Sequence, residues 1–220
     1  AVVAYFWKDL WKIALAVLNG LRQGKPFESA DARLGWLAVP ATIPAGLIGL
    51  LFKSLVEDLQ RQPLLIATIV VGAAALFLVE RISKHDRNLD SLTWLDAFII
   101  GCSQILALLP GVSRSAATMS GGLLRGLKRD GAARFSFLMS IPILLAASLV
   151  AVKDLIDLPG TRTLLPALTV GFVTAAAVGF LSIHWLLGYL ARRSMSIFAW
   201  YRIGFGLLCL LVALLGLRSY

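Results

Sequence analysis

Four stretches of this chain, residues 34–52, 62–79, 135–152 and 163–191, contain no Asp, Glu, Lys or Arg. They are nineteen, eighteen, eighteen and twenty-nine residues long, and the last holds one histidine, His184. A helix needs about 20 mostly apolar residues to cross a bilayer core of roughly 30 Å. It also satisfies its own backbone in lipid, where a lone strand cannot. These runs predict membrane helices. Composition agrees: 59% of the 220 residues are hydrophobic, 15% are charged and mean hydropathy is +0.83. A water-facing globule carries roughly 25% charged residues, so a soluble fold is excluded.

Two further apolar segments, 1–18 and 195–217, bring the expected total to six, with 34–52, 62–80, 133–152 and 163–190. The last of them needs Arg202 to snorkel or to face the protein interior. The opening is apolar to Phe6, carries Lys8, Asp9 and Lys12, then turns apolar again. It reads as the second half of a membrane helix leaving through an aromatic belt of Tyr5, Trp7 and Trp11, so a segment is expected before Ala1. A short interfacial helix is the alternative. Cys102 and Cys209 lie in apolar stretches and are expected to pack rather than to pair.

Residues 94–126 behave differently, because Pro110-Gly111 interrupts an apolar run and Ser113, Arg114 and Ser115 follow at once. A straight helix would absorb a proline kink and bury Arg114 at mid-membrane. Two half-helices that enter and return on one side cost less, with the irregular tip enclosed by protein. The basic residues test this, since Lys and Arg concentrate in cytoplasmic loops. With a re-entrant hairpin, Arg22, Lys25, Arg33, Arg81, Lys84, Arg87, Arg125, Lys128, Arg129, Arg134, Arg192 and Arg193 fall inside. Lys53, Arg61, Lys153, Arg162 and Arg218 fall outside, which gives twelve against five. A full crossing would erase that bias. The excess of 21 Lys and Arg over 12 Asp and Glu therefore has its place in the loops, and nucleic acid is not expected as a partner. The plan expected is an all-α polytopic membrane domain: three helices over 1–80, a hairpin over 94–126 and three helices over 133–217. An odd number of spans per repeat makes the repeats inverted, and the first would lack its hairpin.

The hairpin tip is the candidate site. Gly111 permits a close backbone approach, and Ser113 suits the N-cap of the following helix. A helix N-terminus offers free N–H groups and partial positive charge to an anion. Arg114 adds a planar fork suited to two phosphate oxygens. Thr118, one turn on, can turn its hydroxyl to the same ligand, and Gly111 and Ser115 are expected against the phosphate. Ser113, Ala117 and Gly121 also form a small-residue packing stripe, and Ser115 and Ser120 are expected to bond back to their own helix. An arginine at membrane depth is costly and is functional by default. Elsewhere His184 is expected to pack, and His85, Asp86, Asp90, Glu57 and Glu80 are expected to be solvated. No carboxylate pair for a metal or a general base stands out.

The run GCSQILALLPGVSRSAATMSGGLLRGL, residues 101–127, resembles the second signature of the undecaprenyl-diphosphate phosphatase (bacitracin-resistance) family. ARFSFLMSIPILLAA, ATIPAGLIGLLF and FAWYRIGFG extend the resemblance along the whole chain. It implies hydrolysis of a lipid diphosphate to the monophosphate in the bacterial cytoplasmic membrane, renewing the carrier for peptidoglycan. It implies two hairpin tips meeting mid-membrane and catalytic roles for Ser113, Arg114 and Thr118, with Ser113 either nucleophile or phosphate ligand. It also implies a divalent cation, magnesium or calcium, held by a glutamate-rich first signature that does not occur in residues 1–220. No metal ligand is therefore assigned here, and residues 1–220 alone are expected to be inactive. The partners expected are the lipid diphosphate and membrane lipid, with a homodimer as an open option. A transporter or flippase for an anionic lipid, using the same broken-helix site, is the alternative; a channel is disfavoured without a polar pore lining.

Overall fold

The structure is a computed structural model that describes residues 1–61, 65–157 and 161–215. Among the described residues eleven α-helices follow one another and no strand forms. The first apolar segment is broken rather than continuous, into α1 (Val2–Tyr5) and α2 (Trp7–Arg22). Phe6 at the break is 1% exposed and packs edge-on to Tyr5 and near Phe137. Trp7 and Trp11 lie stacked on the exposed side of α2.

The segment 34–52 begins earlier, as α3 (Ala30–Ala38), because Ser29 caps it by accepting from the Ala32 N–H at 3.1 Å. Pro40 has no N–H to give, and the chain tightens into a 3-10 turn at Pro40–Thr42 before α4 (Ile43–Leu51). Next come α5 (Lys53–Arg61) and α6 (Leu65–Ile82). The hairpin holds α7 (Trp94–Ser103), a 3-10 stretch at Gln104–Leu108 and α8 (Arg114–Leu124). α9 (Arg129–Asp157), α10 (Thr161–Leu190) and α11 (Ser196–Leu214) complete the order.

Ala30–Leu51, Arg129–Asp157 and Leu164–Leu190 are each long and apolar enough to cross a membrane by length and composition. Trp94–Leu108 and Ser196–Val212 are shorter apolar helices. The chain is an all-α polytopic membrane protein. Its core gathers around α8, which packs on α7, α6 and α9, while α11 lies along α6 and α10 along α9. Met119, Leu123, Phe135, Met139 and Leu76 are buried there.

Both ends of the hairpin emerge side by side. α8 has 11 residues, or about 17 Å at 1.5 Å per residue, too short to span the bilayer core. It ends on Gly126 at φ +80, with Gly126 N–H donating to the Leu123 carbonyl and Leu127 N–H to that of Gly122. This C-cap needs the left-handed residue that glycine supplies. The chain then pairs with the strand-like stretch before α7: Arg87 N–H donates to Gly126 O at 2.9 Å, and Lys128 N–H to Arg87 O at 2.8 Å. Asp96, fully buried, binds both ends at once, accepting from Arg125 Nε at 2.6 Å and Arg87 Nη2 at 2.8 Å. It also closes a capping box with Thr93 at the start of α7.

Two residues expected in solvent lie elsewhere. Glu80 is 6% exposed and accepts from Arg129 Nε at 2.7 Å. His85 is half-buried, in the left-handed region at φ 54, with Nε2 3.6 Å from Glu80 Oε2. An unpaired carboxylate would not be buried so deeply; α9 brings the arginine that makes it tolerable. Asp86 and Asp90 are exposed as expected. The side chain of Glu57 lies outside the described residues. His184 is exposed rather than packed, its Nδ1 3.4 Å from the Tyr5 hydroxyl. Cys102 and Cys209 are unpaired.

Candidate phosphate site at the hairpin tip

The tip turns at Leu109–Val112, where Val112 N–H donates to Leu109 O at 3.3 Å across Pro110 and Gly111. Gly111 has φ +80, as a proline–glycine turn of this type requires at its third residue. The turn leaves two carbonyls without helical partners, and neighbouring helices satisfy both. The Thr68 hydroxyl, on α6, donates to Pro110 O. Arg202 Nη2, on α11, donates to Gly111 O at 2.8 Å. Irregular backbone among apolar helices survives on such terms.

Ser113 caps α8, its hydroxyl accepting from the Ala116 N–H at 3.3 Å. Ser115 turns its hydroxyl to Ser113 at 3.3 Å rather than back to its own helix. Ser113, Ser115 and Arg202 line a cavity of about 230 Å³ whose other walls include Leu76, Met119 and Phe198. The lining is mostly apolar, with two hydroxyls and one guanidinium among it. Such a cavity suits an amphiphile with an anionic head.

Arg114 is half-buried at the first position of α8, and its guanidinium makes no hydrogen bond or ion pair among the described residues. Thr118 is placed differently from the expectation. It is 1% exposed, does not line the cavity, and its hydroxyl is engaged by the Arg114 and Ser115 carbonyls and by Ser136. The small-residue stripe is real as packing: Ala117 and Gly121 are buried, and Gly121 abuts Ser103 and Ile100 of α7. Ser113, at the start of the stripe, lines the cavity.

Arg202 is the residue missed from the sequence. Its Nη1 is buried without a hydrogen-bond partner among the described residues, and Gly72 makes room for the guanidinium, since a Cβ there would lie 3.1 Å from Nη2. The signal was present: the cost that singles out Arg114 applies equally to the one arginine inside the apolar segment 195–217. A larger cavity, about 520 Å³, lies between α1, α9 and α10, where Lys128 and Arg134 mix with Asp90 and Asp130. It holds no motif residue.

Among the described residues no three His, Cys, Asp or Glu side chains come together as a metal site. The buried carboxylates Asp96 and Glu80 are each matched by arginines at the hairpin base. The described residues therefore do not fit a divalent cation by themselves.

An undecaprenyl-diphosphatase of Moorella thermoacetica is 46% identical over 219 residues, covering 99% of this chain and 79% of that protein. Proteins of the same name from Myxococcus xanthus and Corynebacterium efficiens are 40% and 41% identical. They match 100% and 98% of this chain, which covers 74% of each of them. Residues 1–208 match the family described as bacitracin resistance protein BacA, and the chain belongs to that family.

Proposed function

We propose that this protein hydrolyses undecaprenyl diphosphate to undecaprenyl phosphate and inorganic phosphate in the bacterial cytoplasmic membrane, renewing a carrier for cell-wall synthesis. The observation that carries the proposal is the cavity that Ser113, Ser115 and Arg202 line together with apolar side chains; Arg114 follows the N-cap in sequence but is not among the lining residues. A polyprenyl diphosphate is an amphiphile of that shape: an anionic head on an apolar chain.

In the reaction an oxygen nucleophile bonds to the terminal phosphorus and the bond from that phosphorus to the bridging oxygen breaks. The lipid monophosphate leaves with the bridging oxygen. Negative charge gathers on that oxygen and on the transferred phosphoryl group. Preorganised donors in a dry site stabilise such charge strongly. Arg114, Arg202 and the first N–H groups of α8 are those donors in this proposal. Ser113 either holds a phosphate oxygen while water attacks, or attacks itself, giving up its proton to solvent and forming a phosphoserine that water then cleaves to inorganic phosphate. A divalent cation, magnesium or calcium, belongs to the proposal through the family resemblance, and no step is assigned to it.

The test is release of inorganic phosphate from undecaprenyl diphosphate by the full-length natural protein in detergent with added magnesium or calcium. Phosphate release stoichiometric with lipid monophosphate is expected. Lipid movement across vesicles without phosphate release would favour a flippase and overturn the hydrolase.

A further inference from the structure

The Thr118 hydroxyl lies 2.9 Å from the Arg114 carbonyl, 3.2 Å from that of Ser115 and 2.6 Å from Ser136 Oγ. A threonine hydroxyl has one proton to donate, and carbonyls only accept. Either hydroxyl could donate in the short contact, but both protons find acceptors among the described residues only if Thr118 donates to a carbonyl, the nearer being that of Arg114, and Ser136 donates to Thr118. Thr118 and Ser136 are 1% and 4% exposed, so no solvent competes for these bonds. Ser136 makes no other side-chain hydrogen bond among the described residues. It stands on α9, eighteen positions from Thr118 and outside the tip motif.

We propose that Ser136 is a positioning residue of the phosphate site. Its donation to Thr118 directs the Thr118 proton onto the Arg114 carbonyl. That carbonyl belongs to the first turn of α8, between the N-cap Ser113 and the cavity residue Ser115. A hydroxyl bonded back to the carbonyl four residues earlier tilts the peptide and bends the helix. Ser136 thereby sets the direction of the first N–H groups of α8 and of the Arg114 side chain. Remove the donor, and the Thr118 hydroxyl is free to turn to Ser115 or to an empty side. The proposal rests on the reading of the tip as a phosphate site.

The test uses Ser136→Ala and Ser136→Cys in the full-length protein, each also combined with Thr118→Ala. Cysteine keeps the shape of serine but is a weak donor. Three quantities are measured in detergent: kcat/KM for phosphate release, affinity for inorganic pyrophosphate, and unfolding temperature. Both single variants should lose about fivefold in kcat/KM and in pyrophosphate affinity, the scale of one neutral hydrogen bond. Their unfolding temperatures should fall only slightly, as the loss of one neutral hydrogen bond allows. In the Thr118→Ala background neither should lose more, since Ser136 acts through that hydroxyl. A Ser136→Cys protein with wild-type values would show that only volume matters and would overturn the proposal. So would effects that multiply with Thr118→Ala, or failure of both single variants to fold. A wild type that binds pyrophosphate but releases no phosphate would sink the hydrolase reading instead. The pyrophosphate affinities would still decide the role of Ser136.

Discussion

Arg114 and Arg202 reach the tip from different helices, and their surroundings predict different responses to substitution. The Arg114 guanidinium makes no hydrogen bond or ion pair among the described residues, so no described contact depends on its fork. Arg114→Lys keeps the charge and loses the bidentate geometry. Phosphate release should drop more than about tenfold, or about 1.4 kcal/mol in the transition state, with the unfolding temperature unchanged. A stable and fully active Arg114→Lys protein would defeat the phosphate-clamp assignment. Arg202 also donates to Gly111 O, so Arg202→Met strips a buried carbonyl of its donor. That variant should lose activity together with about 1–3 kcal/mol of stability, read from unfolding in detergent.

His85 supplies a pH signature of the fold. Burial, and after it the Arg129 guanidinium, holds its imidazole below the ordinary value of 6.5, against an opposing pull from Glu80. The unfolded chain therefore takes up this proton before the folded chain does. Stability rises with pH wherever the unfolded state binds more protons. This contribution is complete above about pH 6.5 and falls as the pH drops toward the lowered folded value. The unfolding temperature should decline from pH 7 to pH 5, and His85→Asn should flatten part of that decline. Asparagine is chosen because it tolerates the left-handed backbone at this position. Identical slopes in the two proteins would remove His85 as the cause.

Among elements, the hairpin is held by a close approach that leaves no room for a side chain. A Cβ on Gly101, in α7, would fall inside contact distance of the Ala41 carbonyl, in the 3-10 turn between α3 and α4. The obstacle is backbone, which cannot step aside as a flexible side chain can. Gly101→Ala should cost at least the roughly 1–3 kcal/mol typical of overpacking, seen as a lower unfolding temperature or a loss of folded protein. At Gly46, where nothing lies within 4 Å of a Cβ, the same substitution should be tolerated. The tip and its cap were legible in the sequence because their determinants are local: Pro110-Gly111 for the turn, and Ser113 three residues before the N–H it accepts from. The break at Phe6 and the 3-10 stretch at Gln104–Leu108 carry no comparable local mark. Glu80 was misplaced because its arginine lies 49 positions away. Arg202 meets Gly111 across 91, and such pairings are decided by helix packing. Thr118 shared a face with Arg114 in the helical pattern, yet α9 covers that face.

For the molecule as a whole, the apolar surface is the dominant fact. Val170, Phe172, Val173 and Leu181 on α10 are exposed, as are Leu149 and Val150 on α9. Such a surface needs lipid or protein against it. The positive charges gather at the other places the chain turns, notably around the hairpin base with Arg87, Arg125, Lys128 and Arg129. Reporter domains fused after residue 93 and after residue 128 should therefore report the same side of the membrane. Opposite sides would overturn the re-entrant reading.

The stitching of Arg87 to Gly126 and Lys128 has a consequence for how the protein is made and how it changes. A hairpin whose feet are tied together contributes no crossing to the parity of the chain. With no crossing at the hairpin, the insertion machinery need not translocate the charges at its feet. Residues gained or lost at the tip leave the sidedness of α9, α10 and α11 untouched. The tip chemistry can thus drift, or be rebuilt, without inverting the helices that follow it.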